Sequence, residues 1–358
     1  PDGTVDTQLV YDDNSNLIKS IKGVISWHYE YDDNDNLTLE QLTLTGAENR
    51  SYSFGYLYNG LDYISHIFYP NDIVVGYAPD ALGRAKQAGQ YAAAAVYYPN
   101  GVLDSVVYGN GVSIKNTLNS LQQLETVRAS TSLFGDVVDL QFNYDPVGNI
   151  TSIIDGVATA NSLSLSYDAN DRLTSASGSW GMGTVTYSSH GDILTKEIGS
   201  TSLVYGYGSD RRLLQLSNQS IPSWDTFTNF EYDVYGNMAS KSTVTTDTSG
   251  INLVQGYDYR FDDASNLKEV DNFDTSYIDR NYQYDANNYR TIEEGVNYKR
   301  FSVYNKAGVL LFENDDAKCE DTAYIYLGKN MIAKDVKIST HDSDGDGRVD
   351  CLGEDVTP

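Results

Sequence analysis

The chain has 358 residues, 50 Asp plus Glu against 24 Lys plus Arg, and a formal charge of −26. Such a field repels phosphate backbones and anionic lipid surfaces, which argues against nucleic-acid and membrane-surface partners. No run approaches the ~18 apolar residues of a membrane-spanning helix, so membrane insertion is not expected either. The 30 Tyr against 10 Phe and 3 Trp suit a sheet with one wet face.

From the N-terminus onward one unit keeps returning, roughly every 20 to 25 residues. It is degraded at Tyr11 to Leu17 and clear at Tyr31-Asp32-Asp33-Asn34-Asp35-Asn36-Leu37. Between residues 52 and 127 the signal changes to turn-forming segments such as Tyr69-Pro70-Asn71-Asp72, Asp80-Ala81-Leu82-Gly83-Arg84, Tyr98-Pro99-Asn100-Gly101 and Tyr108-Gly109-Asn110-Gly111-Val112. Ala85 to Val96, with four consecutive alanines, reads as a strand of small residues. The unit is clear again at Tyr144-Asp145-Pro146-Val147-Gly148-Asn149-Ile150 and Tyr167-Asp168-Ala169-Asn170-Asp171-Arg172-Leu173. Tyr187 to Ile193 and Tyr207 to Leu213 keep the spacing without the Asp, and Tyr232 to Met238 and Phe261 to Leu267 restore it. Tyr284 to Arg290 and Tyr304 to Leu310 complete the series.

Each unit predicts a strand, a tight turn and a second strand. Before the turn, pairs such as Phe142 and Tyr144, Leu165 and Tyr167, or Tyr282 and Tyr284 share one face of a pleated strand. The Asp accepts hydrogen bonds from the amides that follow it. Three residues later, Gly148, Gly191, Gly236, Gly308 or a Ser, Asp or Asn stands where the chain needs φ > 0. An apolar residue then restarts the alternation, as in a hairpin. Stacked Tyr ladders along the sheet are expected, with hydroxyls reaching water or a partner; a carbohydrate-binding platform is the alternative reading of the same rings.

The chain resembles the YD-repeat (Rhs) proteins over nearly its whole length. The resemblance rests on the Tyr-Asp-x-x-Gly-Asn/Arg-Leu units, the Tyr-Gly-Asn-Gly-Val segment and Tyr324-Ile325-Tyr326-Leu327-Gly328-Lys329-Asn330-Met331-Ile332-Ala333. It implies an all-β fold whose hairpins wind into one spiralling sheet, the wall of a hollow shell. In bacterial members the shell typically encloses a toxic C-terminal domain; animal members are large cell-surface adhesion proteins. Self-cleaving members carry an Asp-Pro-x-Gly block after the array. Asp145-Pro146-Val147-Gly148 matches those letters inside an ordinary turn, so no protease role passes to Asp145.

Residues 1-338 are assigned to the repeat array and 339-358 to an acidic tail. In the tail, Asp342, Asp344 and Asp346 at alternate positions, then Gly347, the Arg348 carbonyl and Asp350, predict a loop that wraps Ca2+. The twelfth position of an EF-hand loop is Gly353 and helical flanks are missing, so the loop is closer to thrombospondin type 3 and dockerin-like segments. Cys319 and Cys351, the only cysteines, are the disulfide candidate.

Other candidate chemistry is weak. Asp247-Thr248-Ser249-Gly250 has no second triplet to share a proton with. His28, His66, His190 and His341 stand apart, with His190 in a turn, and Gly206 and Gly208 open no helix for a phosphate.

The sequence therefore predicts a non-catalytic, extracellular structural or adhesive scaffold. The alternative is a wall segment of a toxin cocoon, and a weaker one is a surface that binds or cleaves polysaccharide. Because the chain opens on Pro1-Asp2-Gly3-Thr4, which reads as mid-repeat, an excised fragment is expected. Unpaired strands at both ends would then favour head-to-tail self-association or docking of neighbouring domains.

Overall fold

A computed structural model describes residues 6–46, 49–220, 225–246, 252–273 and 278–338. The first seven strands are β1 (Thr7–Tyr11), β2 (Leu17–Lys22), β3 (Ile25–Tyr31), β4 (Leu37–Leu44), β5 (Arg50–Tyr58), β6 (Ile64–Phe68) and β7 (Val74–Gly76). They form one sheet in sequence order. The second sheet begins with β8 (Ala92–Tyr97), β9 (Leu103–Tyr108), β10 (Ser113–Leu118), β11 (Leu124–Thr131), β12 (Gly135–Tyr144), β13 (Ile150–Asp155) and β14 (Leu163–Tyr167). It continues through β15 (Leu173–Gly178), β16 (Gly181–Tyr187), β17 (Ile193–Ile198), β18 (Thr201–Tyr207), β19 (Leu213–Asn218), β20 (Asp225–Tyr232), β21 (Met238–Thr246) and β22 (Asn252–Phe261). The last strands are β23 (Leu267–Asn272), β24 (Ile278–Tyr284), β25 (Arg290–Gly295), β26 (Tyr298–Tyr304), β27 (Leu310–Asp315), β28 (Glu320–Leu327) and β29 (Asn330–Ile338).

The fold is all-β: among the described residues the one helical element is a 3-10 turn at Thr159–Asn161. Strands of the second sheet also pair in sequence order, and the order is cyclic, with β8 beside both β9 and β29. The alanine stretch enters this sheet as β8, as its composition predicts. At each repeat turn the register slips by one residue beside the Tyr, so that Tyr144 faces Ile150 and Tyr167 faces Leu173. A turn closed by a left-handed residue has this bulged signature.

The chain divides into two compact units. Unit 2, Val96–Tyr259 with Asp271–Tyr277, is a single sheet. Directly opposed residues share a face. One face carries Phe142 opposite Ile153, Leu165 opposite Ala176 and Tyr205 opposite Leu216. The other carries Asn143 opposite Ser152, Ser166 opposite Ser175 and Thr186 opposite Thr195. Among its described residues only Val106 and Ala129 are buried apolar side chains. Hairpin-to-hairpin pairing, not a deep core, holds this unit.

Unit 1, Pro1–Ala95 with Arg260–Val270 and Ile278–Pro358, has two layers. Ile25, Trp27, Tyr29, Leu42 and Phe54 of the first sheet are buried, as are Ile292, Phe301, Val303, Phe312 and Ile325 of the last hairpins. The rings of Phe301 and Phe312 lie 6.5 and 5.6 Å from that of Tyr52. The two layers meet through opposite faces of the repeat. In β3 and β5 the packed residues stand two and four positions before the turn Tyr: Tyr29 and Trp27, then Tyr56 and Phe54. In β26 and β28 they stand one and three positions before it: Val303 and Phe301, then Ile325 and Ala323.

Candidate functional site

The repeated site is the turn itself. In the turns that follow β3, β12, β14, β20 and β22, one carboxylate oxygen of the Asp accepts amides two and four residues on, at 2.8–3.1 Å. Its other oxygen takes the side chain of the residue four on, whether Asn149, Asn237 and Asn266 or the Nε of Arg84 and Arg172. Asn and Arg are interchangeable there because each can reach back to the same oxygen. Where the Asp is missing, Asn305 and Ser188 supply the acceptor. The third residue after the Asp is left-handed as its residue type predicts, with φ of 103° at Gly148 and 95° at Gly236.

These bonds hold the carboxyl groups of Asp32, Asp80, Asp145, Asp168 and Asp233 below the usual range. The first cause is the Arg172 guanidinium for Asp168 and the Asn36 amide for Asp32. At Asp145 and Asp233 partial desolvation pushes the other way and is outweighed by the hydrogen bonds from Asn149 and Asn237.

The turn tyrosines do not form the stacked ladders expected from sequence. Nine of them donate their hydroxyl to the carbonyl of the residue that follows the preceding turn, at 2.6–2.9 Å, as Tyr144 does to Leu124 and Tyr167 to Ile150. Tyr304 stacks on Tyr289 instead. The ring lies along the neighbouring hairpin and its polar end is spent inside the protein, so these hydroxyls are not available to a sugar. A second clasp runs along the rim: the turn amides of Asn34 and Asn36 reach Asp62, and Asn149 reaches Asp171, the left-handed residue of the next turn.

In unit 1 a buried polar seam joins the layers. Arg50 forks onto Asp316 at 2.8 and 2.9 Å, donates to Asn314 and lies 4.3 Å from the Phe301 ring centre. Trp27 donates to Asp285 at 3.0 Å. Glu40 accepts the Tyr56 hydroxyl and, at 2.9 Å, the backbone amide of Lys306. Tyr69 donates to the Tyr324 carbonyl at 3.0 Å. Burial raises the carboxyl groups of Glu40 and Asp285 above the ordinary carboxylate value despite their hydrogen bonds. Sequence reasoning missed this seam. Its one signal was apolar residues on both faces of β28, in Ala323-Tyr324-Ile325-Tyr326-Leu327.

Of the sites expected from sequence, Asp342, Asp344, Asp346, Arg348, Asp350, Cys351 and His341 lie outside the described residues, as does Asp247-Thr248-Ser249-Gly250. Cys319 stands in the turn between β27 and β28 at φ 55°. Asp145 serves its own turn, His190 is an exposed turn residue, Gly206 lies within β18 opposite Gln215, and Gly208 opens the turn that follows. Among the described residues no three His, Cys, Asp or Glu are placed to hold a metal, and no helix is long and apolar enough to cross a membrane. The expectation of two open ends is corrected at the C-terminal side: β29 has β8 beside it.

No model of a protein family matches the chain, and no curated protein matches it. Solved structures do. A crystal structure of TcdB2-TccC3-TEV aligns at 13% identity with a TM-score of 0.59, covering 93% of this chain and 20% of that one. TcdB2-TccC3 and a Tc holotoxin pore of Photorhabdus luminescens each align at 13% identity and 0.48, over 92% of this chain and 22% and 21% of theirs. The chain thus spans about a fifth of the length of the structures it matches, and the first likeness shows a shared fold.

Proposed function

We propose that this chain is a wall segment of a YD-repeat shell, which separates an enclosed polypeptide of the toxin class from its surroundings. The observation that carries the reading is the meeting of opposite repeat faces in unit 1. When one strip of hairpins is rolled past a full turn, the inner face of one end lies on the outer face of the other. The face before Tyr31 and Tyr58 lies on the opposite face of the hairpins ending at Tyr304 and Tyr326. The fold shared with TcdB2-TccC3-TEV supports the same reading.

The adhesive-scaffold reading has less support, because the Tyr hydroxyls that would face a ligand are bonded within the sheet. The wall is read as non-catalytic. Glu40 and Asp285, whose raised carboxyl groups would otherwise flag a catalytic site, serve to join the layers. On sequence alone, the tail is proposed to bind Ca2+ through Asp342, Asp344, Asp346, Arg348 and Asp350, to be stapled by Cys319–Cys351, and to act outside the cell.

Protease challenge tests the sequestering role. The full reading frame that encodes this chain is expressed and digested with a broad-specificity protease. Polypeptide outside residues 1–358 should survive while the sheet is intact and be degraded when Arg50→Ala opens the seam. Equal degradation in both proteins contradicts the reading.

A further inference from the structure

We infer that Glu40 is a pH-operated latch between the two layers of unit 1, which holds them together when protonated and releases them when ionised. Glu40 lies in β4 and is wholly buried. Its cross-strand neighbours, Tyr29 and Phe54, are buried as well. It is the fourth residue of its strand. In β13, β15, β19 and β23 that position holds Ile153, Ala176, Leu216 and Val270, so the repeat accepts an apolar side chain there. A buried carboxyl in its place is costly to the fold and asks for a role.

Three carboxyl groups join the layers, and they differ in how they carry a charge. Asp316 is matched by the Arg50 guanidinium. Asp285 accepts N–H donors alone, from the Trp27 indole and the amides of Asn287 and Tyr289. Such donors suit a carboxylate. Glu40 has one amide, that of Lys306 across the seam, and one hydroxyl, that of Tyr56 in its own sheet. Among the described residues no Lys or Arg side chain bonds to it. The Lys306 ammonium donates instead to the Tyr31 hydroxyl at 2.6 Å and lies 5.0 and 5.7 Å from the ring centres of Tyr31 and Tyr29. The titratable groups that face Glu40 are Tyr29 from β3, Tyr56 and Tyr58 from β5 and Lys306 from the turn after β26, with Asp285 on the far side of Tyr29. Lys306 is the one cation among them.

Protonated, Glu40 keeps both links: one oxygen takes the Lys306 amide, and the acid proton is shared with the Tyr56 oxygen. Ionised, it is a charge in a dry layer and must gain water. Water reaches it most directly by lifting the Lys306 turn from β4, a local opening that leaves the hairpins of unit 2 paired. Burial outweighs the bonds from Tyr56 and Lys306 and raises the Glu40 carboxyl. The stability that the latch contributes is therefore present below the ordinary carboxylate value and lost as pH rises through the raised one. The latch does not rest on the wall reading, because it belongs to unit 1 whether or not a polypeptide lies behind the sheet.

Hydrogen exchange of the intact chain, corrected for the intrinsic rate of each amide, tests this from about pH 5 to about pH 9, which spans the values known for buried Glu. Protection of β3–β5 and of the turn after β26 should fall, by up to about tenfold per pH unit, until Glu40 ionises in the closed seam. Protection of β12–β17 should hold throughout. Glu40→Gln, whose carboxamide copies the protonated acid, should keep the seam protected over the whole range. Glu40→Leu repeats the test with the side chain that β19 carries at this position, and its seam should be equally insensitive to pH. Protection of the seam that does not change with pH in the natural chain would overturn the inference. So would the same loss in both variants, or a loss in β12–β17 that matches the loss in the seam.

Discussion

At the residue scale the repeat reduces to local chemistry at each turn and one clasp to the hairpin before. The turn was legible because its determinants lie within seven residues: an acceptor at the Asp, a left-handed third position and a side chain that reaches back. The clasp was not, because Tyr and its acceptor carbonyl stand 14 to 21 residues apart, and alternation says nothing about where a hydroxyl ends. Tyr144→Phe removes one such bond without changing the ring. It should lower stability by about 0.5–1.5 kcal/mol in urea unfolding, whereas Tyr235→Phe, at an exposed turn tip, should change nothing measurable. Equal effects at both positions would remove the clasp from the account. The tail loop stands on sequence, where Asp344→Ala should abolish or strongly weaken calcium binding by calorimetry. Unaltered binding would place the ion elsewhere.

At the element scale the two units differ in what keeps them folded. Unit 2 relies on neighbour-to-neighbour pairing, which the 20-to-25-residue period announces. Unit 1 adds a seam whose cross-layer partners are 255 to 266 residues apart, a separation that no periodic pattern encodes. The legible trace was the phase of the apolar residues. β26 and β28 place Phe301, Val303, Ala323 and Ile325 where unit 2 carries Ser and Thr, and strands covered on both faces lose polar alternation. Arg50→Ala leaves Asp316 buried without its fork and should cost about 3–5 kcal/mol. That loss should appear as faster exchange in β3–β5 and β26–β28, with β12–β17 unaffected. Uniform exchange changes would show that the seam is not a local lock.

At the scale of the whole molecule, two sets of carboxylates set opposite pH limits. Glu40 and Asp285 have raised folded values, so the stability they contribute is present below their unfolded values and lost as pH rises through the folded ones. Asp32, Asp80, Asp145, Asp168 and Asp233 have lowered values, so theirs is present above the unfolded value and lost as pH falls through the folded one. Repulsion within a chain of net charge −26 reinforces the first trend. Thermal stability should therefore peak in mildly acid solution, at about pH 5, and fall on either side. Glu40→Gln should flatten the alkaline side alone. A peak near pH 8, or a variant with the same profile, would show that the seam carboxylates do not set that limit.

The central claim is that this sheet is a wall with something behind it. Electron cryomicroscopy of the protein made from the full reading frame tests that most directly. The account predicts a curved wall one sheet thick, doubled only where β1–β7 overlie the last hairpins, with polypeptide density on its concave side. A flat two-layer slab, or a curved sheet whose interior is filled by its own side chains, would contradict it.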